Sequence, residues 1–283
     1  MKYKLNLGCG THIHPEWINI DMTAVHPAVR VHDLRKGIPF ADGSCEVVYH
    51  SHLLEHIPFA DALPFMRECY RALESKGILR VAAPDLERIC RVYTEKLEEV
   101  LSGETQSDAD YEWVLLELLD QMVRETGGGR MRAYLTQDQI PNPDFVLSRI
   151  GEGGRAIMQA AKKTAPVNDK TEADNARIHW IRLTDLLKKI PYKARNLILK
   201  MLYGNKGSRA LQVGFFRMSG EVHQWMYDRY SLRKLMLNAG FAEPIVQTAT
   251  KSFIPHWTDY HLDSAADGTV YKPDSLFMES RKR

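Results

Sequence analysis

"LNLGCG", Leu5 to Gly10, followed after a short polar stretch by "WINIDM", Trp17 to Met22, decides how this chain folds. Both are short apolar runs of strand length, the first closed by glycines and the second by an acid. VHDL (Val31 to Leu34) and EVVYHS (Glu46 to Ser51) read as a third and fourth strand, the latter opened by the Ala41-Asp42-Gly43-Ser44 turn cluster. After Pro58 the period changes. Phe59 to Leu73 sets Leu63, Met66, Tyr70 and Leu73 on one stripe, the mark of a helix facing a core. Lys76-Gly77 reads as a turn, and ILRVAAP as a fifth strand with the unbroken apolar character of a doubly covered parallel sheet. This order implies right-handed crossovers and an α/β fold built on an open, mostly parallel Rossmann-like sheet.

From about Leu86 to Ser219 the strand signals mostly vanish. DADYEWVLLELLDQMVRE and the stretch from Asn175 to Leu202 are helix-compatible, separated by breakers at Gly127 to Arg130 (GGGR) and Pro141 to Asp144 (PNPD). SLRKLMLNAGF then reads as a helix closed by Gly240, with EPIVQTAT and SLFMES as later strands. The expected organisation is a cofactor-binding domain from residues 1–86 plus 220–283, interrupted by a helical insertion or cap at 87–219 that meets the acceptor.

Lys+Arg 38 against Asp+Glu 36 leaves a net charge of +2, so no global field argues for nucleic acid. No uncharged apolar run reaches the roughly eighteen residues of a membrane span. The four cysteines form no C-x-x-C pair and read as reduced, packed thiols. MKYKLNLGCG has none of the marks of a secretory leader, and a cytoplasmic location is expected.

In an open parallel sheet the ligand lies beyond the carboxyl ends of the strands, where strand order reverses. Gly8 and Gly10 sit there and let backbone approach a ligand closely. Asp21, ending the second strand, can accept both hydroxyls of a ribose, and Asp33-Leu34, ending the third, can meet an adenine edge. With Ser51-His52 after the fourth strand, this layout resembles the class I S-adenosylmethionine-dependent methyltransferases. KLNLGCG, WINIDM, HDLRKGIPFADGSCEVVYHSHLLEHI, MRECYRALESKGILRVAAPDL, EVHQWMYDRYSLRKLMLNAGF and KPDSLFMES are similar to bacterial methyltransferases associated with surface-polysaccharide biosynthesis. The resemblance implies S-adenosylmethionine as cofactor, with Gly8 and Gly10 by its methionine part, Asp21 on the ribose, Asp33 and Leu34 on the adenine, and Ser51 and His52 bordering the methyl group. Asn6 and His12 stand where many class I enzymes have an acid and a third glycine. Asn6 is counted with the cofactor-binding residues. A dinucleotide oxidoreductase is the nearest rival, but G-C-G-T-H-I-H supplies only two of the three glycines of its fingerprint.

HLLEH, His52 to His56, spells an inverted zinc-peptidase signature. Pro58 interrupts before a long helix can form around the pair, and no downstream residue is singled out as third ligand; neither Glu117 nor Glu125 is distinguished. The segment is therefore read as the loop after the fourth strand, and no metal is expected. A hydroxyl acceptor gains from a base near neutral pKa, so His52 and His223 are the candidate bases, with Asp85 a third group at the same sheet edge that can equally cap the next helix. Between Arg182 and Arg209, eight basic residues face the single acid Asp185, interleaved with Leu186, Leu187, Ile190, Leu197, Ile198, Met201 and Leu202. The segment reads as a solvated helix face, as a site for an anionic acceptor such as a nucleotide- or lipid-linked sugar, or as a peripheral contact with an acidic membrane; RNA is a weaker fit. The expected activity is O-methylation of a saccharide or glycan precursor. The alternative is a non-catalytic cofactor-binding partner in a glycan-assembly complex.

Overall fold

The computed structural model describes residues 2–104, 107–163 and 192–283. Seven strands, β1 (Tyr3–Leu7), β2 (Ile18–Asp21), β3 (Val29–Val31), β4 (Cys45–Ser51), β5 (Leu73–Pro84), β6 (Ala242–Gln247) and β7 (Ser275–Arg281), form one sheet in the order β3-β2-β1-β4-β5-β7-β6. The first five run parallel, and β7 is antiparallel to both its neighbours. This is the Rossmann-like α/β sheet expected from the strand order. The chain leaves β1 toward β2 on one side and returns to β4 on the other, so the strand order reverses at the carboxyl end of β1.

Helices α1 (Phe59–Ala72) and α7 (Arg229–Ala239) cover one face, burying Phe65, Met66, Leu232 and Met236 on Leu5, Leu7, Val48, Leu79 and Val81. α7 starts where sequence chemistry starts it, at a capping box of Asp228 and Ser231, and stops at Gly240, whose φ of 108° an L residue rarely adopts. Strand β5 runs on through Lys76-Gly77 rather than turning there. Lys76 takes a left-handed φ of 65°, and its N–H and the Gly77 carbonyl both bond to Lys282, so β7 carries the ladder across the kink.

The opposite face is built differently. β1 reaches β2 through residues 8–17, without a helix, and the bare sheet is covered by the segment between β6 and β7. In that segment Trp257 packs edge-to-face on Trp17 and Tyr49, and Tyr260 on Trp17, with centroids 5.0 to 6.0 Å apart. Each such pair adds about 0.5–1.5 kcal/mol beyond its area. Fully buried Arg80 fixes the segment: its guanidinium donates to Asp263 at 2.7 and 2.9 Å, to Glu279 at 2.6 Å and to the Thr248 carbonyl at 2.7 Å, and lies 4.4 Å from the Trp257 ring centre.

Between β5 and β6 lie α2 (Leu86–Leu101), α3 (Asp108–Val123), α4 (Gly129–Leu135), α5 (Pro143–Lys163) and α6 (Tyr192–Arg217), before α7. α3, α4 and α5 share their own core of Trp113, Tyr134, Leu135, Val146 and Met158, and a smaller cluster of Ile89, Val114 and Met226 joins α2 and α3 to the segment before α7. α5 and α6 each bend at a glycine with positive φ, Gly151 and Gly204. Of the basic segment, Arg182, Asp185, Leu186, Leu187, Lys188, Lys189 and Ile190 lie outside the described residues. Met201 and Leu202 of the expected apolar stripe are exposed, and Arg209 pairs with Glu125 at 3.0 Å. Among the described residues no helix is long and apolar enough to cross a membrane.

Candidate active site

The loop after β1 is held by side chains that strand geometry brings together. Asn6, 2% exposed, donates through Nδ2 to the His12 carbonyl (2.8 Å) and to Asn19 Oδ1 (3.0 Å). Asn19 in turn donates to the carbonyls of His14 and Trp17 and accepts from the His14 N–H. An amide at position 6, where other enzymes have an acid, is thus the clamp that closes a helix-free connection. The sequence marked Asn6 as a departure but held no sign that its partner is Asn19.

Gly8 and Gly10 have φ of 64° and 50°. A Cβ on Gly8 would come within 2.9 Å of Leu53, so the glycine loop lies directly against the loop after β4, beside His52. A Cβ on Gly10 would meet open space. The Gly10 N–H donates to Asp21 Oδ2 at 3.0 Å, and Oδ1 accepts from the Thr23 N–H at 3.1 Å, which fixes the carboxylate at the end of β2 while leaving acceptor capacity on both oxygens. Asp33 caps the 3-10 turn Leu34–Lys36 and is gripped by Arg35 at 2.9 and 3.0 Å; that hydrogen-bonded pairing holds its carboxyl below the usual range. Leu34 packs against the sheet core. Ser51 ends β4 opposite Ala82.

These residues fit S-adenosylmethionine. The open space beside Gly10 would admit a ligand next to backbone, and the Asp21 carboxylate would suit a ribose diol. The bound cofactor supplies a methyl group on a positively charged sulfur.

Beyond the ends of β4 and β5, beneath α3, α4 and α5, lies a cavity of about 980 Å³. His52, Glu55, His56, His223, Lys272 and Asp274 line one part of it, and Ile89, Leu135, Ile150 and Met226 give it apolar wall. His52 has a left-handed φ of 50°, its Nε2 lies 2.8 Å from Ser275 Oγ and its Nδ1 3.2 Å from Glu55 Oε1. Burial pushes His52 down to about 4 and His223 to about 3, so both imidazoles are neutral at physiological pH, though weaker bases than a free imidazole. Burial opposes ionisation of Glu55, and the facing His52, His56 and His223, where protonated, lower its carboxyl from the ordinary value. Two of the three candidate catalytic residues, His52 and His223, therefore share one cavity. Asp85 does not join them: its carboxylate accepts from the Arg88 N–H at 3.2 Å and caps α2. Burial pushes Asp85 up from the ordinary carboxylate value. Glu55 was met in the sequence only within HLLEH, as a residue bracing the loop; Lys272 and Asp274 were not singled out, because nothing local marks them and they enter the cavity through the β5–β7 pairing.

Residues 9–81 match a family model described as methyltransferase domain. That match, on this strand order, makes the chain an S-adenosylmethionine-dependent methyltransferase, with S-adenosylmethionine as its cofactor. No curated protein matches the chain significantly. Among solved structures, an S-adenosylmethionine-dependent methyltransferase of Thermotoga maritima is similar at 12% identity over 100% of this chain and 83% of its own, with a TM-score of 0.38. A chain from a complex of the Haloferax volcanii methyltransferase activator is similar at 10% identity over 99% of this chain and 82% of its own, with a TM-score of 0.35.

Proposed function

We propose that the protein O-methylates a hydroxyl of a saccharide or glycan precursor. The observation that carries this reading is the cavity: imidazoles, carboxylates and a lysine beside apolar wall suit a polyhydroxylated acceptor. In this reading residues 1–86 and 220–283 form the cofactor-binding domain, and 87–219 form the cap that selects the acceptor. Gly8 and Gly10 border the methionine part of the cofactor, Asp21 holds the ribose, Asp33 and Leu34 flank the adenine, and Ser51 closes the methyl end. Asn6 acts through the loop it clamps.

His52 is placed to take the hydroxyl proton, because its loop touches the glycine loop and its ring is neutral. His223, from the same cluster, orients the acceptor. The four free cysteines favour a reducing, cytoplasmic setting. The test is formation of S-adenosylhomocysteine from S-adenosylmethionine with a panel of nucleotide- and lipid-linked sugars, followed by mass analysis of the acceptor. A mass gain of one methyl group, with the His52→Gln variant slowed by roughly 10²-fold or more, supports the reading. Methylation at nitrogen or on a non-saccharide acceptor instead would contradict it.

A further inference from the structure

Glu55 is the most unusual group in the cavity. It is fully buried, and neither carboxylate oxygen has an aligned hydrogen-bond partner. Among the described residues its only ion-pair contact is His52 at 3.2 Å; no lysine or arginine pairs with it. A buried carboxylate whose oxygens lack aligned donors keeps acceptor capacity free on the cavity side, where Lys272 also lies.

The surroundings fit one kind of cation. A carboxylate oxygen of Glu55 and ring nitrogens of His56 and His223 all lie within 4.8 Å of one another and face the cavity. We infer that Glu55, His56 and His223 form a site for a divalent first-row transition metal, open toward the acceptor cavity. Two imidazoles and one carboxylate are the donors such ions take, whereas calcium and magnesium favour all-oxygen sets.

The site is built in advance. The Glu55 carbonyl accepts from the N–H groups of Gln224 (2.6 Å) and Trp225 (3.3 Å), and the His223 N–H donates to the Gln121 carbonyl (3.0 Å). Backbone bonds therefore dock the segment carrying His223 onto the turn carrying Glu55 and His56. His56 Nδ1 lies 3.4 Å from the Val222 carbonyl, a contact that turns Nε2 into the free ligand atom, and His52 braces the carboxylate from the other side. The i, i+4 pair His52 and His56 suggested by the HLLEH spelling is not the ligand pair. Folding instead replaces His52 with Glu55 and brings the third ligand from before α7.

Three protein ligands leave coordination positions open to the cavity. Resting on the hydroxyl-acceptor reading, these positions take acceptor oxygens, so the metal acts in orienting the acceptor against the methyl group.

The test measures metal alone and needs no acceptor. Chelator-treated wild-type protein is dialysed separately against Zn²⁺, Mn²⁺ and Co²⁺ and assayed by elemental analysis, beside Glu55→Gln, His223→Gln and a surface control, His256→Gln. The expected result is one retained ion per chain in wild type and control, with affinity at least about tenfold weaker in the two site variants. Retained S-adenosylhomocysteine binding in those variants reports that they are folded. Should a variant fail to fold, the Co²⁺ spectrum of wild type decides: intense visible bands of an imidazole-carboxylate site are expected, and the weak spectrum of the hydrated ion would overturn the site. Absence of retained metal from wild type, or equal binding by the site variants, would also overturn it. Failure of saccharide methylation leaves all these readouts untouched, so the two claims fail separately.

Discussion

Replacing Asn6 by aspartate would give the chain the acid that many related enzymes carry two residues before the first glycine, and the geometry forbids it here. Both recipients of Asn6 Nδ2, the His12 carbonyl and Asn19 Oδ1, are acceptors. A carboxylate would turn two hydrogen bonds into two oxygen–oxygen contacts at a site only 2% exposed. Asn19 cannot rescue them by flipping its amide, because Nδ2 already serves the carbonyls of His14 and Trp17, and Oδ1 accepts from the His14 N–H. Each orphaned acceptor costs about 1–3 kcal/mol, so the two together give at least about 2 kcal/mol, before adding the cost of burying a charge. Urea unfolding of Asn6→Asp should therefore lose that much stability with an unchanged m-value, and titration calorimetry should show weaker S-adenosylhomocysteine binding, since Gly10 rides on the same loop. An aspartate variant as stable as wild type, or one that binds cofactor more tightly, would refute the clamp.

Two further outcomes follow from buried charge. Arg80→Met leaves Asp263 and Glu279 buried without their cation and should cost about 3–5 kcal/mol in the same unfolding assay; a loss under about 1 kcal/mol would mean that the segment between β6 and β7 is held by its aromatic residues alone. Burial pushes Asp274 up to about 7, so the native state keeps a proton there that the unfolded chain releases near pH 4. By linkage, this group's contribution makes stability fall as pH rises from about 4 to about 7. Asp274→Asn should remove that fall, and a stability–pH curve parallel to wild type would contradict the assignment.

Strand positions, the positive-φ glycines and the acid after β2 were legible in the sequence because each is a local signal: a run of apolar residues, a turn, a carboxylate at a strand end. The closing helix before β6 was legible for the same reason, down to Gly240. What could not be read is long-range. Arg80 looks like a stray charge in an apolar strand until Asp263 and Glu279 arrive from the other end of the chain, and β5 looks interrupted at Lys76-Gly77 until β7 pairs across it. HLLEH forms a short turn after β4, as read from Pro58. The expectation of no metal rested on the lack of a third ligand nearby in sequence; in the site proposed above that ligand is His223, which the docking of Gln224 and Trp225 on the Glu55 carbonyl brings there.

The central claim, that the β1 and β2 ends hold S-adenosylmethionine through Asp21, is tested most directly by titration calorimetry of S-adenosylhomocysteine against wild type and Asp21→Ala. Hydrogen bonds to a charged group contribute roughly 1.5–3 kcal/mol, so the account predicts affinity weaker by about tenfold to 150-fold. Part of that loss comes through the Gly10 N–H, which the alanine leaves without its acceptor. Equal affinity for the two proteins would contradict the placement of the cofactor.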